Sequence, residues 1–408
     1  MIAPTQHPRE VAVIGGGPAG LMAAEIVARA GHRVTVHERM PSPGRKFLLA
    51  GRGGLNLTHS EPLDRFLNRY AEAAPFLSPI LAAFSPSDVV AWCDGLGQPT
   101  FTGSSGRVFP KAMKASPLLR AWLARLDGLG VRLVTRSHWV GRDTDGTLHF
   151  ADGTRAQPEA TVLALGGASW PRLGADGSWT SALPGISISP LRAANCGFAV
   201  PWSTHMRRHA GSPLKRIALH HQGRMVRGEA VVTEAGLEGG AIYALSAPLR
   251  GAIAAEGTTI LRIDLRPDLT EADLATRLAS PRGSSSLSTH LKRHAVLSPV
   301  AIALVQEALH QGSDAPLPAL IKSVPVVLTA PFNLDRAIST AGGVALGDLT
   351  AELMVADHPG LFVAGEMLDW EAPTGGYLLT ASLATGHAAG RGVVAWLEGN
   401  EGRERPSP

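Results

Sequence analysis

Val11-Ala-Val-Ile-Gly-Gly-Gly-Pro-Ala-Gly20 decides the fold of this chain. A short apolar strand runs into a glycine-rich turn, and Leu21–Ala30 continues as a helical pattern that Gly31 ends. Gly15, Gly17 and Gly20 fill the three positions of a Gly-x-Gly-x-x-Gly turn. The first bends the chain, the second lets backbone approach a pyrophosphate, and the third lets helix pack on strand. Pro18 and Ala19 open the helix whose N-terminus receives the phosphates. Val34-Thr-Val36 reads as a second strand ended by Glu38, 18 residues past Gly20, where a carboxylate accepts both hydroxyls of an adenosine ribose. The order of these signals predicts a dinucleotide site in an α/β, Rossmann-like domain.

Past Glu38 the sequence favours a flavin dinucleotide over a nicotinamide one. Arg39 and the pair Arg45-Lys46 stand where long cationic side chains reach phosphate oxygens. Gly51, Arg52, Gly53, Gly54 and Asn56 form a loop of little bulk, whose backbone N–H groups can lie against a flat ring or a phosphate. Thr161–Leu165 reads as a strand returning to the core, with Gly166, Gly167 and Ala168 at its ligand-facing end. Leu361–Ala364 is a further strand, leading through Gly365, Glu366 and Asp369 to Gly375, Gly376 and Tyr377. The Ala-rich helix Leu378–Leu397 follows, its N-terminus suited to negative charge on a reduced ring.

The chain has 408 residues, 45% apolar and 18% charged, with 46 Gly and 30 Pro, a composition that excludes disorder, collagen and coiled coil. Apolar runs such as Val300–Val305 and Val393–Leu397 are far shorter than a membrane helix, and the first ten residues lack a secretory pattern. A cytoplasmic protein with no membrane span is expected. Cys93 and Cys196 form no Cys-x-x-Cys and read as small buried hydrophobes. The net charge of +4 suits a nucleotide without demanding nucleic acid. His205/His209 and His290/His294 have helical i,i+4 spacing, but no further ligand pattern accompanies them and no metal site is expected.

The ordered motifs carry a resemblance. Val13-Ile-Gly-Gly-Gly-Pro-Ala-Gly20, Gly44-Arg-Lys-Phe47, Gly51 to Asn56 with Thr58, Leu165-Gly-Gly-Ala-Ser169, Ala341-Gly-Gly-Val344 and Gly360 to Glu366 with Asp369 and Gly375-Gly-Tyr377 resemble the BaiN/YhiN-like family of bacterial FAD-dependent flavoproteins. The resemblance spans nearly the whole chain; only the middle is weakly matched. It implies a glutathione-reductase-type FAD domain of residues 1–194 and 336–408, interrupted at 195–335 by an insert with a β-rich, barrel-like part and a small helical part. It also implies one non-covalent FAD. Gly15, Gly17 and Glu38 then hold the ADP half, Lys46 a phosphate or ribose oxygen, and Gly51 to Asn56 the pyrophosphate-to-flavin stretch. Gly365, Glu366, Asp369, Gly376 and Tyr377 line the ribityl chain and ring, with Trp170 and Leu378 among the contacts. Two positions depart from the family pattern: Leu55 replaces a cysteine and Leu378 an asparagine.

The expected activity is hydride transfer between flavin N5 and a small unsaturated or carbonyl-containing substrate, which requires one positioned acid. Tyr243, Tyr377, Arg107, Trp170 and Arg172 are candidates, none privileged. No second Gly-x-Gly-x-x-Gly follows the first, so electrons come from transiently bound NAD(P)H or from a redox partner protein. An RNA-modifying flavoprotein and a non-catalytic flavin carrier or sensor are the alternatives; the scarcity of aromatic residues, 5% of the chain, weighs against nucleic acid.

Overall fold

The computed structural model describes residues 7–51 and 53–399. The chain divides into two compact units: residues up to 192 with those from 339 onward, and residues 193–338.

The first unit is built on five parallel strands. β1 (Glu10–Ile14) is followed by helix α1 (Pro18–Arg29), β2 (Arg33–Glu38) and the short α2 (Arg45–Ala50). β3 (Arg132–Thr135), β4 (Ala160–Leu163) and β5 (Leu361–Val363) complete the sheet in the order β5–β4–β1–β2–β3. Every pairing is parallel, and β1, β4 and β5 are covered on both faces, which is why they read as continuous apolar runs. The last helix, α3 (Tyr377–Gly399), lies along α1. Glycines permit that approach: a Cβ at Gly386 meets the Ala19 carbonyl oxygen at 2.2 Å, and one at Gly390 meets that of Ala23 at 3.0 Å.

A buried carboxylate fixes the other side of α1. Glu25 accepts from the indole of Trp122 at 2.8 Å, from Arg125 at 3.1 Å and from both donors of Arg29 at 2.8 and 3.0 Å. Burial drives its pKa up, but the two arginines more than offset this and hold it below the ordinary value.

Residues Leu63–Asp94 are long and apolar enough to cross a membrane by length and composition alone, which a search for unbroken apolar runs misses. In the structure they form four short helices, Leu63–Leu67, Asn68–Ala73, Ala74–Ala83 and Pro86–Asp94. Ala71 breaks the run at φ 47°, and Ser85 caps the last helix. Phe66, Tyr70, Leu77, Leu81 and Val89 are buried in the unit's core, the arrangement of helices packed on one face.

The second unit is a seven-stranded antiparallel sheet with helices. Its centre is the hairpin Pro213–His221 and Arg224–Val232, turned at Gln222-Gly223, both with positive φ. Val324–Leu328 forms one edge and Ala330–Pro331 the other, so one continuous stretch of chain supplies both edges of the sheet. Ser298 caps helix Pro299–His310, and Thr270 with Asp273 makes a capping box on Glu271–Leu278.

Candidate functional site

The three glycines of the β1–α1 turn have different reasons. Gly15 has φ +111°, and a Cβ there falls 2.3 Å from the Ala164 carbonyl oxygen; one at Gly20 falls 2.0 Å from that of Gly15. Both are fixed by the protein's own packing. Gly17 has φ −84° and ψ 179°, open to any residue, and a Cβ there meets no atom of the described residues within 4 Å. Its side of the turn is therefore free for a ligand. No side chain caps α1, so its first N–H groups face the same space.

Glu38 stands beside this turn, its Oε2 accepting from Gly16 N–H at 2.9 Å and its Oε1 from Met40 N–H at 2.8 Å. Burial pushes its carboxyl up, against the pull of those two N–H groups. Arg39 is engaged by Asp176 at 2.9 Å, whereas the Nε of Arg45 is buried without a partner. His37 stacks on Phe150 at 4.4 Å, and burial with the nearby Arg132 lowers its pKa to about 4, so the ring is neutral at pH 7.

Lys46 joins the ends of β4 and β5. Its ammonium donates to Ser169 Oγ at 2.9 Å and to Glu366 Oε2 at 2.7 Å. Glu366 also accepts from the N–H groups of Gly167 at 3.3 Å and Thr340 at 3.0 Å. Lys46 thus makes a wall of the site rather than standing free. Gly365, at φ +83°, brings the β5 end against α1, where a Cβ falls 2.7 Å from that of Ala19. Trp370 donates its indole N–H to Gly365 O at 2.9 Å. Gly166 accepts from Trp179, and half-buried Trp170 adopts the left-handed region at φ 62°.

The loop after α2 meets the start of α3. Gly51 packs on Ala115; Gly53, like Gly17, has open space over its Cα; Arg52 lies outside the described residues. Asn56 Oδ1 is buried without a hydrogen-bond partner, while Leu55 is fully buried in the core. A Cβ at Gly376 falls 2.5 Å from Thr58 Cα, and Thr58 Oγ1 accepts from Thr380 at 2.8 Å. Gly375 has φ +139°, and Leu378 packs against the core.

Two residues that the resemblance set against the ribityl chain and ring spend their side chains on the protein. Asp369 accepts from Ser189 Oγ at 2.5 Å. The Tyr377 ring lies against Phe66 at 4.8 Å, and its hydroxyl donates to Glu61 at 2.5 Å, itself held by a bidentate Arg69. Burial and the Glu61 carboxylate raise the Tyr377 pKa well above that of a free phenol. Of the other candidates, Tyr243 belongs to the second unit, with its hydroxyl raised by burial. Cys93 and Cys196 are both buried, and burial raises the Cys93 thiol to about 12.

The residues fit a dinucleotide in three respects. Gly17 and Gly53 leave room that no side chain uses, an orphan acceptor stands at Asn56, and an acid ends β2. Gly17 and Glu38 lie at the carboxyl ends of parallel strands, where open α/β sheets take ligands. Sequence reasoning missed Thr340, which accepts from Ala168 N–H at 2.9 Å, and Glu61; only contacts between residues remote in the chain reveal them.

A family model described as the HI0933-like protein Rossmann domain matches residues 9–392. The 3-dehydro-bile acid delta(4,6)-reductase of Clostridium scindens is 26% identical, covering 94% of this chain and 98% of that protein. The ribosomal RNA dihydrouridine synthase of Escherichia coli is 25% identical, covering 94% and 97%. Among solved structures, a 3-ketosteroid delta1-dehydrogenase from Sterolibacterium denitrificans superposes with a TM-score of 0.52 at 14% identity, covering 95% of this chain and 99% of that one. A flavocytochrome c3 fumarate reductase does so with 0.51 at 16%, covering 97% and 79%. These two likenesses establish the fold.

Proposed function

Starting from a chain that belongs to the HI0933-like Rossmann family and is an FAD-dependent oxidoreductase, we propose that it reduces a carbon–carbon double bond conjugated to a carbonyl. The two relatives point to this shared chemistry, since a 3-keto delta(4,6) system and a uracil ring both carry such a bond. FAD, when bound, supplies the hydride, and a proton completes the reduced bond. The residues of this chain bind and orient. The Gly15–Gly20 turn and the N-terminus of α1 receive the pyrophosphate, and Glu38 the ribose. Lys46 and Glu366 hold the ends of β4 and β5 at a fixed separation, and Asn56 offers its free acceptor. The open side of Gly17 carries the cofactor part of this reading, because nothing among the described residues explains a glycine there.

Electrons come from NAD(P)H bound transiently or from a redox partner protein, and the protein works in the cytoplasm. The test is anaerobic: photoreduce the flavin, then add a steroid 4,6-dien-3-one, a simple cyclic enone or a uridine-containing RNA. Return of the oxidised band with an enone and not with a saturated ketone supports the reading; a flavin that stays reduced with every acceptor refutes it. Uridine within RNA is the second reading. It is favoured by one observation: residues 193–338 hold fifteen Lys and Arg against eleven Asp and Glu, the chain's entire positive excess. Reoxidation by RNA alone selects it.

A further inference from the structure

Four carboxylates are buried among the described residues: Glu25, Asp264, Glu307 and Glu366. Three of them hold a cation. Glu25 takes Arg29 and Arg125, Asp264 takes Lys322 at 2.6 Å, and Glu366 takes Lys46 at 2.7 Å. Glu307, on helix Pro299–His310 and 4% exposed, has no Lys, Arg or His partner among the described residues. A carboxylate buried without a counter-charge costs stability, and folded chains seldom keep one unpaired.

Its hydrogen bonds come from neutral donors only. Oε1 accepts from Ser203 N–H at 2.8 Å and from the Gln311 amide at 3.3 Å, and Oε2 accepts from the Ser203 hydroxyl. These bonds tie the helix to Ser203, which caps Thr204–Arg207. A glutamine would do as much, because its carbonyl serves the N–H groups and the serine hydroxyl can accept from its amide. The hydrogen bonds therefore leave the negative charge, and one acceptor position on Oε2, without a use inside the chain.

Glu307 stands in the wall of a cavity of about 170 Å³ whose lining belongs wholly to the second unit. Apart from Glu307 and Gln311 that lining is apolar, with Val200, Trp202, Leu304, Ala308 and Val326 as its buried part. Trp202 spends its indole N–H on Gly236 O at 3.2 Å and offers the cavity ring surface alone. Gln311 and Val327 are exposed, so the cavity opens to solvent on their side. An apolar cavity of about 150 Å³ is large enough for benzene.

We propose that this cavity binds a small organic cation, an amine or amidine on an apolar body about the size of a benzene ring, with Glu307 as its counter-charge. The apolar walls take the body and the carboxylate receives the charged N–H donors, the usual division of labour in a small-molecule pocket. The site stands apart from the flavin reading and does not depend on it.

The test uses the full chain as purified, with benzylamine as the probe and benzyl alcohol as its neutral counterpart, at matched ionic strength. Benzylamine raises the melting temperature of the wild type, gives a saturable calorimetric titration, and binds about tenfold or more tightly than benzyl alcohol, a difference of about 1.4 kcal/mol. Glu307→Gln keeps the bonds to Ser203, melts no lower than wild type, and binds the two probes alike. Val327→Phe narrows the opening from an exposed position with the carboxylate in place, and weakens both probes. No saturable response in the wild type, equal affinity there for the two probes, or an undiminished preference for benzylamine in Glu307→Gln overturns the proposal. So does benzylamine binding that Val327→Phe leaves untouched, which places the probe elsewhere, or a Glu307→Gln protein that melts well below wild type, which gives the carboxylate to the fold.

Discussion

Replacing Gly17 and Gly15 by alanine separates what the turn does for the fold from what it does for a ligand. At Gly15 the added Cβ meets a backbone oxygen at 2.3 Å with φ +111°, so neither side-chain rotation nor backbone relaxation absorbs it. A strained non-glycine conformation costs about 1–3 kcal/mol and overpacking adds about 1–3 more. Against a total stability of about 5–15 kcal/mol, the combined cost of about 2–6 kcal/mol leaves Gly15→Ala folded but with a markedly lowered melting temperature. At Gly17 the backbone is already extended and no atom of the described residues lies within 4 Å of the new methyl, so the apoprotein is unchanged or gains stability. That gain is about 0.4–1 kcal/mol. The same methyl then stands in the pyrophosphate's place, a penalty of about 1–3 kcal/mol, or roughly 5- to 150-fold in FAD affinity. Thermal melts of the apoproteins and FAD titrations followed by flavin fluorescence read both quantities. A Gly17→Ala protein that folds normally and binds FAD as tightly as wild type would refute the reasoning.

Three further outcomes follow from named contacts. Glu25→Ala strands a buried indole N–H and two arginines, a loss of about 3–5 kcal/mol visible in a denaturant titration, whereas Glu25→Gln keeps an acceptor for Trp122 and loses less; a Glu25→Gln protein as stable as wild type would contradict the ion-pair account. Because the folded pKa of Glu25 lies below its ordinary value, its stabilisation is present above about pH 4.5 and disappears as pH falls through the lower folded pKa, so Glu25→Gln flattens that acid limb of the stability curve. Lys46→Met leaves Glu366 buried without its cation, and FAD release quickens in stopped-flow while the second unit's melt is unmoved; an unchanged release rate shows that the ion pair does not shape the site. Tyr377→Phe removes only the bond to Glu61, so it costs about 1 kcal/mol of stability and leaves the flavin spectrum in place, and a shifted spectrum would show the hydroxyl to be a cofactor contact instead.

What the sequence makes legible here is short-range. The β1–α1–β2 unit, the caps at Thr270 and Ser298 and the strand before Gly365 all announce themselves within a few residues, because turn and cap chemistry is local. What escapes it is contact between distant residues. Lys46 and Glu366, 320 positions apart, each read plausibly as a free cofactor ligand until the fold pairs them. Gly386 and Gly390 look like weak points in an Ala-rich helix, and only the approach of α1 gives them a reason. The Gln222-Gly223 hairpin is hidden because glutamine seldom takes a positive φ, and its strands, rich in His and Arg, lack the usual β-branched alternation.

The most direct test of the account is the FAD content of the folded, purified chain, released by denaturation and measured by chromatography and absorbance against protein concentration. The account predicts about one FAD per chain after reconstitution of the wild type, and a markedly lower value for Gly17→Ala under the same conditions. A folded wild-type protein that holds no FAD, even after reconstitution, would contradict it.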